Sequence, residues 1–136
     1  MANKNAKKPA VPGLDLGDFT PQQNQALLDL LVLAMYLDGN LAQVEEARLK
    51  QLLAAMGFET DYDRNRELDA AVTRVRRETQ TPAAVKACVA KLAANFTTRL
   101  HQARVFDFLN ELTALDGNVS SEESQFLSSI KETFKL

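Results

Sequence analysis

Two stretches of the chain space their carboxylates so that they can hold a cation. YLDGNLAQVEEARL, Tyr36 to Leu49, and ALDGNVSSEESQFL, Ala114 to Leu127, each carry an aspartate just before a glycine and a glutamate six residues after it. The four acids are Asp38 and Glu45, then Asp116 and Glu123. Carboxylate oxygens are hard ligands, so the candidate ion is a divalent cation: Ca2+, Mg2+ or Mn2+. His101 and Cys88 are the chain's lone histidine and lone cysteine, which argues against a structural zinc site.

A calcium loop of the EF-hand type makes a stricter demand. It needs ligands one, three and five residues before its glycine, an apolar residue two after it and a bidentate glutamate six after it. Asp38, Leu41 and Glu45 meet the late part of that pattern, as do Asp116, Val119 and Glu123. The early positions are Ala34 and Tyr36, then Leu112 and Ala114, which supply no side-chain ligand. Each stretch is half a loop. A cation that takes about six to eight oxygens would need both copies, with backbone carbonyls or water.

The same residues also make good helix starts. Ser120 with Glu123 fits a capping box, in which serine and glutamate satisfy the free amides of a first turn. Acids there complement the helix dipole, while the glycine supplies the turn. In the first copy Ala42 stands where Ser120 does, so Glu45 lacks a reciprocal capping partner. Cap and ligand both remain open as roles for the two glutamates.

The elements that must position these corners are helices. Thr20 before Pro21 starts one that runs to about Leu37, with Leu27, Leu30, Leu31, Ala34 and Met35 on a stripe that Leu28, Val32 and Leu33 widen. A second spans about Gln43 to Met56 and stops at Gly57; a third spans Asp61 to about Glu78. Thr81 and Pro82 open a fourth, a break near Asn95 to Thr98 leads to a fifth over about Arg99 to Leu115, and a sixth starts at Ser120 or Ser121. No stretch alternates with period two for long enough to make a strand. The expected fold is all-α, a single compact helical domain over 20–136 behind a flexible tail, 1–19, whose Val11, Leu14, Leu16 and Phe19 are able to lie on the domain.

A shift of 78 residues superposes the two stretches, Asp38 on Asp116, Glu45 on Glu123 and Leu52 on Ile130. Each copy is an apolar helix, a DGN corner and an amphipathic helix. Two such hairpins can pack about an approximate two-fold axis, with the third and fourth helices as the connection.

Composition narrows the function. Sixteen basic and eighteen acidic residues leave a net charge of -2, so nucleic acid is not an expected partner. Lone Cys88 suits a reducing compartment and a packing role. Lysines near the N-terminus are followed by Pro9, Pro12 and Gly13 instead of an apolar stretch, and no run nears the roughly 18 apolar residues of a membrane span, so a cytoplasmic protein is expected. Arg64 to Arg104 holds nine basic and three acidic residues, with the hairpins on either side acidic. Arg74, Arg76 and Arg77 are therefore the cluster for an acidic partner or a lipid head group. Nothing pairs a nucleophile with a base or forms a phosphate-cradling loop, so no enzyme is expected.

The doubled pattern of apolar helix, DG corner, small apolar residue, glutamates and helix is carried by LAMYLDGNLAQVEEARLKQLLAAMGF and LNELTALDGNVSSEESQFLSSI. In this the chain resembles the TerB-like family of tellurite-resistance proteins and related N-terminal domains of DnaJ-like membrane co-chaperones. The resemblance covers about Thr20 to Leu136. It implies a pseudo-symmetric all-helical domain and a non-catalytic, stress-associated module. By position, it implies a cation held by Asp38, Glu45, Asp116 and Glu123, with Glu46 and Glu122 nearby, and a protein partner, with a membrane surface as one setting. A metal-free helical adaptor is the alternative, and a metal-dependent enzyme the lesser one. Val44, Ser124 and Ala42 depart from the doubled pattern, so the first corner is the less regular.

Overall fold

The computed structural model describes residues 16–38, 43–115 and 120–136, with side chains for 16–36, 46–115 and 120–136. Among these residues six helices follow one another: α1 (Pro21–Asp38), α2 (Gln43–Ala55), α3 (Asp61–Glu78), α4 (Pro82–Ala93), α5 (Arg99–Ala114) and α6 (Ser121–Phe134). There is no strand among the described residues. The expected all-α class and helix order hold, and the helix ends fall within a residue or two of those read from caps and glycines.

Hydroxyl caps set most of the starts. Thr60, Thr81, Thr98 and Ser120 each accept the backbone N–H three residues on, at the heads of α3, α4, α5 and α6. Thr20 does the same for α1, and Gln23 returns the favour by accepting the Thr20 N–H at 3.0 Å. Each cap satisfies an amide that the helix leaves without a partner. After α2, Gly57 at φ 104° turns the chain so that Phe58 N–H reaches the Leu53 carbonyl and Gly57 N–H that of Ala54. This is the Schellman stop expected of a glycine there.

α1 lies at the centre and packs on α3, α4, α5 and α6. Leu27, Leu30, Leu33 and Ala34 are wholly buried, as the apolar run around the helix requires. Leu49, Leu52 and Leu53 come in from α2, Leu68, Ala71 and Val75 from α3, Val105, Leu109 and Leu112 from α5, and Phe126, Ile130 and Phe134 from α6. α4 contributes Val89, Ala93 and Cys88, so the single cysteine is packing, as expected.

Part of the segment read as tail belongs to the domain. Leu16 and Phe19 are buried in the common core, and Phe19 packs on Phe96 at 5.7 Å and edge-on to His101 at 4.7 Å. Asp18 binds His101 Nε2 at 2.9 Å and Arg104 Nη1 at 2.6 Å. Burial of two large side chains and a doubly held carboxylate tie down residues 16–19. Residues 1–15 lie outside the described residues.

Candidate functional site

α1 and α5 are the helices that precede the two acidic stretches in sequence, and the contacts at one pole fix how these two helices run. Phe19 and Asp18, just ahead of α1, touch Phe96, His101 and Arg104 at the head of α5. Gln23 Nε2 donates to the Asn95 carbonyl at 3.0 Å. The tail of α6 arrives at the same pole: Phe134 packs on Phe96, and Arg99 donates to the Phe134 and Lys135 carbonyls, each at 2.9 Å. α1 and α5 therefore start together and run parallel, with α6 returning antiparallel. Their lengths, 18 and 16 residues, span about 27 and 24 Å at the helical rise.

Both helices thus end at the opposite pole. There Arg48, early in α2, grips Glu111, near the end of α5, through Nη2 at 2.9 and 2.8 Å to the two carboxylate oxygens. Leu31, Leu49, Leu52, Phe108 and Leu112 pack beneath this bridge. Parallel first helices are what an approximate two-fold axis along the bundle would require; the turns that follow them, 39–42 and 116–119, lie outside the described residues.

Of the four predicted ligands, Glu123 has a described side chain. It is 1% exposed at the head of α6, its Oε1 accepts the Ser120 N–H at 3.1 Å and its own N–H donates to Ser120 Oγ at 3.1 Å. This is the capping box read from the sequence. Asp116 lies outside the described residues, as do the side chains of Asp38 and Glu45. Among the described residues no group of three or more histidine, cysteine, aspartate or glutamate side chains stands ready for a metal. Glu122 is exposed and Glu46 half-buried.

The basic cluster is divided by the fold. Arg74 is turned inward, where Nε and Nη2 donate to Asp29 at 3.0 and 2.8 Å. Two of its nitrogens are engaged there, because a carboxylate that is 6% exposed in the middle of α1 requires a cation. Its hydrogen bonds to Asp29 hold the Arg74 pKa above its usual value, against the pull of burial. Arg76 lies over the Tyr36 ring at 6.0 Å. Arg77 is exposed on the rim of a crevice between α1, α3 and α4. Sequence reasoning passed over the Asp29–Arg74 and Arg48–Glu111 pairs, although an aspartate inside the run LLDLLVLAM was a visible sign of the first.

Cys88 borders that crevice, and burial pushes its thiol pKa up. A nucleophilic cysteine needs the reverse shift. No helix among the described residues is long and apolar enough to cross a membrane.

An all-helical domain of this order, with α1 at its centre among the described residues, is of the TerB class. The chain belongs to the tellurite resistance protein TerB family, whose model matches residues 24–136. Neither a curated protein nor a solved structure gives a match to the chain.

Proposed function

We propose that this chain is a non-catalytic, stress-associated TerB module of the tellurite-resistance kind that holds one divalent cation between its two acidic corners and presents the result to a protein partner. The observation that carries the reading is the parallel course of α1 and α5, from a pole shared by Phe19, Phe96 and His101 to one bridged by Arg48 and Glu111. Two half-loops need to meet if they are to share an ion, and helices running antiparallel would keep them apart. Asp38, Glu45, Asp116 and Glu123 would supply oxygen ligands, with backbone carbonyls and water completing the shell. That donor set fits Ca2+, Mg2+ or Mn2+ better than zinc.

Isothermal titration of the full chain with each of these ions tests the reading, alongside the double variant Asp38→Asn with Asp116→Asn. Heat of binding in the parent that is lost in the variant supports it. No heat and no change in melting temperature at millimolar metal would count against it.

The second reading is a metal-free adaptor. It draws on the reciprocal bonds of Glu123 with Ser120, which already give that carboxylate a structural task. In that case the corners are caps only, and the partner is recognised by the helical surface.

A further inference from the structure

The crevice between α1, α3 and α4 has a volume of about 350 Å3, within the range of small-ligand sites. Ala26, Val75 and Leu92, with the Cys88 thiol, give it apolar walls; Arg74, Arg77 and Lys91 bring three cations to it, and Asp29 and Glu78 two carboxylates. The charged lining is therefore one unit positive. That excess sits on Arg77, which has no ion pair among the described residues, whereas Arg74 is held by Asp29 at 2.8 Å and Lys91 by Glu78 at 3.6 Å.

Two further donors are within easy recruitment. The bonds to Asp29 use Nε and Nη2 of Arg74, leaving Nη1. The Lys91–Glu78 contact is long and its side chains are 74% and 40% exposed, so it contributes little and yields to a better anion. A guanidinium with no carboxylate of its own, beside apolar walls, matches a ligand with an anionic head and a short apolar body.

We propose that this crevice binds a small organic phosphate, with Arg77 as the principal phosphate contact, Arg74 and Lys91 as auxiliary donors, and the Ala26, Val75 and Leu92 surface covering the ligand's apolar part. The phosphate belongs either to a soluble ester or to a lipid head group. This site is separate from the acidic corners and does not depend on the cation reading.

Cys88 provides a native reporter. It is the chain's only cysteine and is 7% exposed beside the crevice. Its modification by iodoacetamide is followed in the full chain with and without butyl phosphate, with inorganic phosphate as the head alone, and binding to phosphatidic acid vesicles is measured by sedimentation. Butyl phosphate is expected to slow modification in a saturable way, more strongly than inorganic phosphate. Arg77→Gln, an exposed position, is expected to weaken that protection roughly tenfold or more, and Lys91→Gln to weaken it less. Protection by butyl phosphate without vesicle binding identifies a soluble ester. Vesicle binding that Arg77→Gln abolishes, without protection by the soluble ester, identifies a lipid phosphate. Neither protection nor vesicle binding at millimolar phosphate ester, or protection and vesicle binding that are unchanged in Arg77→Gln, overturns the proposal.

Discussion

Arg74 of α3 clamps Asp29 of α1 with two charge-assisted hydrogen bonds, Nε to Oδ2 at 3.0 Å and Nη2 to Oδ1 at 2.8 Å. Asp29 interrupts the buried run of the central helix and its side chain is 9% exposed, so α3 must supply its cation. Removing one partner of such a pair strands the other charge. Arg74→Met is therefore expected to lower unfolding free energy by about 2–3 kcal/mol in urea denaturation, tempered because the Arg74 side chain keeps 26% exposure. Adding Asp29→Leu should recover all but about 1 kcal/mol of that loss, since packed apolar residues can replace a buried pair. Loss in the double variant equal to that in the single one would rule out the stranded charge as its cause.

Two helix stops make opposite predictions. Gly57 sits at φ 104° with open space around a would-be Cβ, so Gly57→Ala meets backbone strain and no clash, and should cost roughly 1–2 kcal/mol. Lys135, after α6, occupies the left-handed region at φ 56° and ψ 45° without being a glycine. There Lys135→Gly relieves strain but loosens the unfolded chain, for a net gain of roughly 0.5 kcal/mol. Thermal melts of the two variants should move in opposite directions.

The helices were legible because local chemistry marks their ends: Thr20–Pro21, Gly57, Thr81–Pro82 and Ser120 all behave as read. The central place of α1 was legible too, since a helix apolar on most sides has to be covered on most sides. Pairings between distant helices were less so. Arg48 and Glu111 lie 63 residues apart, and no local pattern distinguishes them from other surface charges. The parallel course of α1 and α5 agrees with the 78-residue repeat, but it rests on Phe19, Phe96, His101 and Arg99, whose contacts depend on how the chain closes. Asp18 was assigned to the tail because the segment is polar and shows no helical period, although Leu16 and Phe19 beside it were among the apolar residues able to lie on the domain.

The Asp18 clasp gives a prediction in pH. Bonds from Arg104 first, then His101, hold the Asp18 carboxyl at about 2, below the roughly 3.9 of an unfolded aspartate. A carboxylate whose folded pKa is depressed contributes stability above the unfolded pKa and loses it as pH falls through the folded one. The contribution should therefore be complete above about pH 5 and lost progressively down to about pH 1, below both pKa values. Half exposure of the Asp18 side chain means that water screens much of it, so the effect is smaller than the shift alone implies. Asp18→Asn should be less stable than the parent at about pH 6, with the gap shrinking through about pH 2; a constant difference across that range would assign the effect to packing.

Glu123 allows cap and ligand to be separated. Glutamine can accept the Ser120 N–H as glutamate does, and either residue completes a capping box. Glu123→Gln should thus keep metal-free stability within about 1 kcal/mol of the parent, losing mainly the interaction of its charge with the helix dipole. Ser120→Ala removes the hydroxyl that accepts the Glu123 N–H and should cost about 1 kcal/mol. Their effects on metal should be reversed. If the carboxylate is a ligand, Glu123→Gln weakens Ca2+ or Mn2+ binding by tenfold or more in titration calorimetry, about the 1.4 kcal/mol that a lost charged ligand readily exceeds. Ser120→Ala, which leaves all four carboxylates in place, should bind nearly as the parent does. Metal binding that survives Glu123→Gln unchanged would make this glutamate a cap alone and leave the remaining acids too few to hold the ion between the corners.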